Sequence, residues 1–114
     1  GLPQQLELFR RVSEQTGRRP PVLDSRDVLE NPERLLRLLC EEIGIEFSSA
    51  MLSWEPGKRE TDGIWAPHWY AEVEKTTSFR PYSPKEEEVP GEFEKVLQEC
   101  MEIYEELYQN RLGN

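Results

Sequence analysis

Residues 22–45 read VLDSRDVLENPERLLRLLCEEIGI, and the fold turns on how this stretch is parsed. It opens on a very short apolar run, Val22-Leu23, ending at Asp24 and Ser25, which predicts one buried strand. Asn31, Pro32 and Glu33 then make a helix start: a side-chain oxygen to cap free amides, a proline suited to the first turn, and an acid facing the positive end of the dipole. Leu35, Leu36, Leu38, Leu39 and Ile43 give the following helix, 32–43, a broad apolar face, and Gly44 stops it. That face is too wide for a helix lying free in water, so it is expected to pack on the strand and on a neighbouring layer, with Ile45 and Phe47 anchoring the exit.

Outward from this cassette, Pro3 and the spacing of Leu6, Phe9 and Val12 predict a helix over 4–16 that stops at Gly17. Arg18, Arg19, Pro20 and Pro21 form a stiff extended linker, because a residue before proline is pushed out of helical geometry. Ser48 caps a short helix to about Leu52, and residues 54–66, with Pro56, Gly57 and Gly63, form a loop. Pro67 starts another short helix that carries Trp69, Val73 and Tyr70 inward. A second loop follows, and Pro90 opens the longest helix, 90–111, with Phe93, Val96, Leu97, Cys100, Ile103, Tyr104 and Leu107 on one stripe. The fold class expected of the isolated chain is mainly α with one short strand. A lone strand cannot form a sheet, so it either completes a sheet supplied by another segment or lies extended between helices.

The chain has 114 residues, one domain or less, enough for a modest core and too few for a cofactor domain beside a substrate domain. Hydrophobic residues make up 36% and the mean hydropathy is -0.77, yet the apolar positions cluster periodically, which predicts folding. The net charge of -9, with nine of the 23 acidic residues between Glu86 and Glu106, repels phosphate backbones and anionic headgroups, so neither nucleic acid nor membrane is an expected partner. With no long apolar run and no signal-peptide pattern, the expected location is cytoplasmic. Cys40 and Cys100 are far apart in sequence, without a CxxC spacing or a nearby histidine, and read as buried thiols rather than as a disulfide or metal site.

A second informative stretch is residues 57–65, GKRETDGIW, running on through Ala66-Pro67-His68-Trp69-Tyr70. The apolar strand, Asp27, the Asn-Pro-Glu start, the leucine-rich helix ending Ile43-Gly44-Ile45 and this Gly-x-Trp loop together resemble the C-terminal half of the P-loop sulfotransferase superfamily. The branch they are similar to is bacterial and plant, and some of its plant members are joined to an aminotransferase-like domain. Ser25 and Arg26 stand where that family carries Tyr and Glu. The resemblance covers about 4–112 and implies that the chain corresponds to the C-terminal part of an α/β three-layer fold. It further implies that the P-loop, the catalytic base and the groups holding the 3′-phosphate lie upstream of residue 1. The chain alone is then expected to be inactive, with no catalytic residue and no cofactor of its own.

By the same resemblance, Lys58, Arg59, Gly63 and Trp65 belong to the loop that closes over 3′-phosphoadenosine 5′-phosphosulfate. The family's Arg-Lys-Gly start and Gly-Asp-Trp-Lys centre are not reproduced, and Asp62 opposes an anion. The bare residues leave Lys58 and Arg59 equally open to being solvated surface charges. Trp54, Trp65, Trp69 and Tyr70 are suited to stacking an adenine, though such aromatics more often pin an irregular loop to a core. His68, the only histidine, reads as structural between Trp65 and Trp69. Asp24 and Asp27, at the strand end, read as turn and cap residues rather than as an acid–base pair. The function expected is therefore a sulfotransferase-like region whose partner is the N-terminal half of the same fold or another protein. The alternative is a non-catalytic helical interaction or regulatory module, and a weak homodimer through Val22-Leu23 is a further expectation.

Overall fold

Five α-helices form in the computed structural model, which describes residues 1–114: α1 (Leu2–Thr16), α2 (Ser25–Glu30), α3 (Pro32–Ile43), α4 (Ala66–Trp69) and α5 (Glu94–Gln109). Short 3-10 turns occupy Ser49–Met51, Val73–Lys75 and Gly91–Phe93. There is no sheet. The sole β pairing is an isolated antiparallel bridge between Ser53 and Ser78. No helix is long and apolar enough to cross a membrane. The chain divides into two compact units, one built from Gly1–Ser25 with Ser83–Asn114, the other from Arg26–Tyr82.

In the first unit, α1 starts with Pro3 in its first turn and ends at Gly17, whose φ of 66° is the left-handed geometry a glycine adopts without strain. α1 packs on α5, burying Leu6 and Leu107. Arg10 clamps Glu106 with two bonds, Nε to Oε1 at 3.0 Å and Nη2 to Oε2 at 2.6 Å. The strand expected at Val22-Leu23 does not form: the segment is extended, but its nearest neighbour offers one bond, Leu112 N–H to the Val22 carbonyl at 2.9 Å, and not a ladder. Two residues between a proline pair and Asp24 have too little backbone to pair further. The long C-terminal helix is also shorter than expected. A 3-10 turn at Gly91–Phe93 precedes α5, which ends at Gln109, and Phe93, Val96 and Leu97 are exposed. Cys100 is half-buried, and Cys40 buried.

The second unit is organised by α3. The Asn31 side chain accepts from Arg34 N–H at 3.2 Å, Pro32 opens the helix, and Gly44 closes it with φ 73°. Leu35 is 1% exposed, the most deeply buried side chain of the chain, and Cys40 Sγ sits 3.8 Å from Met51 Sδ. Arg37 lies over the Phe47 ring at 4.0 Å, so Phe47 anchors the exit of α3, whereas Ile43 and Ile45 are exposed. Residues 25–30, where a turn is expected, instead form α2, with Asp27 in its first turn and an Arg26–Glu30 ion pair at 2.8 Å. The Asp27 backbone carbonyl accepts from Asn31 N–H at 3.0 Å. Asp24, in the first unit, accepts from the Tyr104 hydroxyl at 2.8 Å.

Candidate functional site

The loop 54–65 is held at its start by Trp54. Its N–H donates to the Thr77 carbonyl at 2.8 Å, its indole Nε1 donates to Thr76 Oγ1 at 3.0 Å, and its ring meets Phe79 edge-on at 5.4 Å. Thr76 Oγ1 in turn donates to the Val73 carbonyl at 2.7 Å. Gly57, with φ 110°, takes a conformation that favours glycine and donates to the Glu74 carbonyl at 2.7 Å. That bond ties the turn Val73–Lys75 to the loop. Further along, Arg59 N–H donates to Asp62 Oδ2 at 2.9 Å while Asp62 N–H returns to the Arg59 carbonyl at 3.0 Å, a reciprocal turn that fixes Arg59. Ala66 N–H donates to the Gly63 carbonyl at 2.9 Å, leading directly into α4.

Beside these bonds lies a cleft of about 380 Å³ lined by Lys58, Arg59, Asp62, Gly63, Ile64 and Glu74, together with Ala66 and Pro67. Three of the four residues singled out from the sequence, Lys58, Arg59 and Gly63, therefore share one cavity. The fourth, Trp65, lies outside its lining, is 61% exposed, and stacks on Trp69 with centroids 5.5 Å apart and planes 16° apart. Glu74 had no signal in the local sequence, since the Gly57–Glu74 bond brings it in from a later turn. Lys58 and Arg59 form no ion pair with a carboxylate, and the Arg59 Nη2 donates to the Glu55 carbonyl at 3.2 Å. A Cβ built on Gly63 would meet nothing within 4 Å, so the backbone there is open to close approach. The lining carries two cations and two carboxylates, so its formal charges balance and it has no strongly attractive field for an anion.

Of the aromatics, only Trp54 pins the loop. Trp65, Trp69 and Tyr70 are exposed, as is Val73, so the inward packing expected for the second short helix does not occur. The reason is length: α4 spans four residues, too few to turn one face toward a core. His68 is exposed and tilted against Trp65 at 6.3 Å, on one side of the indole pair rather than between its rings. Beside the loop, Glu72 binds Lys75 at 2.6 Å and Arg80 at 3.4 Å, and the Lys75 hydrogen bond and charge, reinforced by Arg80, hold its carboxyl below the ordinary value.

The chain is 34% identical over 90 residues, 79% of its length, to branched-chain-amino-acid aminotransferase-like protein 2 of Arabidopsis thaliana. It is 42% identical over 71 residues, 62% of its length, to branched-chain-amino-acid aminotransferase-like protein 1 of the same plant. The matched regions make up only 16% and 12% of those two proteins, so the chain spans a small fraction of the curated relatives it matches. No solved structure matches significantly. A family model described as Sulfotransferase domain matches residues 4–110, nearly the whole chain, and the chain therefore belongs to the sulfotransferase domain family.

Proposed function

We propose that this chain is the C-terminal region of a P-loop sulfotransferase-like fold, and that its loop 57–65 covers the 3′-phosphoadenosine end of a 3′-phosphoadenosine 5′-phosphosulfate cofactor held mainly by the N-terminal half of that fold. The observation that carries the reading is the convergence of Lys58, Arg59 and Gly63 on one cleft, with both cations unpaired by carboxylates. Lys58 supplies a mobile point charge and Arg59 a planar donor fork for phosphate oxygens, while the open backbone at Gly63 lets the ligand approach closely. When bound, the cofactor supplies the sulfuryl group to be transferred. What these residues do is hold and screen its phosphate end. The region is inactive without the rest of the fold, because no backbone cradle for the 5′-phosphosulfate is present in these residues. The aminotransferase-like names of the plant relatives belong, on this reading, to the parts of those proteins outside the matched region.

Isothermal titration with 3′-phosphoadenosine 5′-phosphate tests the proposal. Binding in the millimolar range, roughly -4 kcal/mol, is expected of half a site, and replacing Lys58 and Arg59 together by alanine should abolish it. Binding that survives the double substitution, or no heat at millimolar ligand, would overturn the assignment.

A further inference from the structure

Helix α5 is packed along only part of its length. Its C-terminal half meets α1 through Leu107 and the Arg10–Glu106 clamp, whereas residues 91–99 are all exposed. On the exposed side, Phe93, Leu97, Met101 and Tyr104 recur at spacings of four, four and three, a continuous apolar stripe, with Phe93 and Met101 each 50% exposed. Three turns of an apolar stripe are the length that a helix-in-groove or helix-on-helix contact uses. Methionine and phenylalanine side by side suit an adaptable contact.

The surrounding charge says what fits there. Between residues 86 and 106 stand nine glutamates and a single lysine, Lys95, and of those glutamates only Glu106 is ion-paired. A second copy of this chain laid face to face would set one glutamate-rich rim against another, which like-charge repulsion opposes. A lysine- or arginine-rich amphipathic helix has the opposite rim and a matching apolar face. We infer that the Phe93-Leu97-Met101-Tyr104 face of α5 is a docking surface for a basic amphipathic helix of a partner protein, which completes the packing of the N-terminal half of α5. This is independent of the cofactor loop and stands if that assignment fails.

The test is titration of the full chain with a leucine–lysine amphipathic peptide, alongside a leucine–glutamate peptide of the same pattern, with amide hydrogen exchange followed across residues 91–104. One-to-one binding of the basic peptide alone is expected, with new protection over 91–101 and an affinity that falls about tenfold on raising salt several-fold. Leu97→Asp should weaken binding about tenfold, as truncation of an apolar anchor does. The aspartate adds negative charge, so attraction by charge alone would strengthen, and unchanged or tighter binding overturns the inference. Met101→Gln repeats the measurement at a second exposed position, with circular dichroism confirming that α5 is intact. Equal binding of the acidic peptide, no binding of the basic one, protection of 91–101 before any peptide is added, or a dimer in sedimentation that Leu97→Asp dissolves would each overturn it as well.

Discussion

The Tyr104 hydroxyl donates to Asp24 at 2.8 Å, joining α5 to the extended segment before α2. Partial desolvation of the phenol, then this bond to the carboxylate and its charge, push Tyr104 up from 10.0 to about 12. The folded chain thus holds the phenolic proton more tightly than the unfolded chain does. The stabilisation is complete below pH 10 and is lost as pH rises through about 12. An ultraviolet difference titration between the native chain and Tyr104→Phe isolates this one phenol. Ionisation near 12 is expected, moving toward 10 in Asp24→Asn; a midpoint unaffected by Asp24→Asn would show that the carboxylate plays no part. Asp24 is a residue whose type the sequence displays but whose partner it hides. Nothing local to residues 22–27 points to a tyrosine eighty positions away.

The caps of α3 were legible because they act within four residues: Asn31 on Arg34 N–H, and Gly44 turning back on Cys40 and Glu41 carbonyls. Asn31→Ala should therefore cost about 1 kcal/mol in denaturant unfolding of the second unit, and Asn31→Asp much less, since the carboxylate keeps the acceptor. Equal losses for both would assign the effect to something other than the cap. Elements set by distant contacts were not legible. The Val22-Leu23 segment reads as a strand by composition, but a strand needs a neighbour, and the one it meets supplies a single bond from Leu112. α2 has six residues and no apolar period, so it carries no signal apart from its Arg26–Glu30 spacing. In the candidate site, Lys58, Arg59 and Gly63 fall together because the turn from Arg59 to Asp62 brings its two flanks, Lys58 and Gly63, to one cleft. Trp65 is lost from the cleft because α4 begins at the next residue and swings its indole onto Trp69.

Each of the two compact units is about half the chain, below the ~60 residues at which a single core becomes marginal. The second rests on Leu35, Cys40 and Ala66, its three buried apolar residues, and Leu35 is nearly inaccessible. Leu35→Ala removes the central contact of that core, and about 2–5 kcal/mol is the usual cost at such a site. A unit this small has little more stability than that to lose. Hydrogen exchange should then show α3 and the Trp54-pinned loop losing protection about a hundredfold or more. The α1–α5 pair, held by Leu6, Leu107 and the Arg10–Glu106 clamp, should keep its protection, because these residues all belong to the first unit. The reciprocal substitution, Leu107→Ala, should strip α1 and α5 and spare α3. If either substitution collapses both halves together, the units fold as one, and the loop at Lys58 and Arg59 depends on the whole chain rather than on its own compact half.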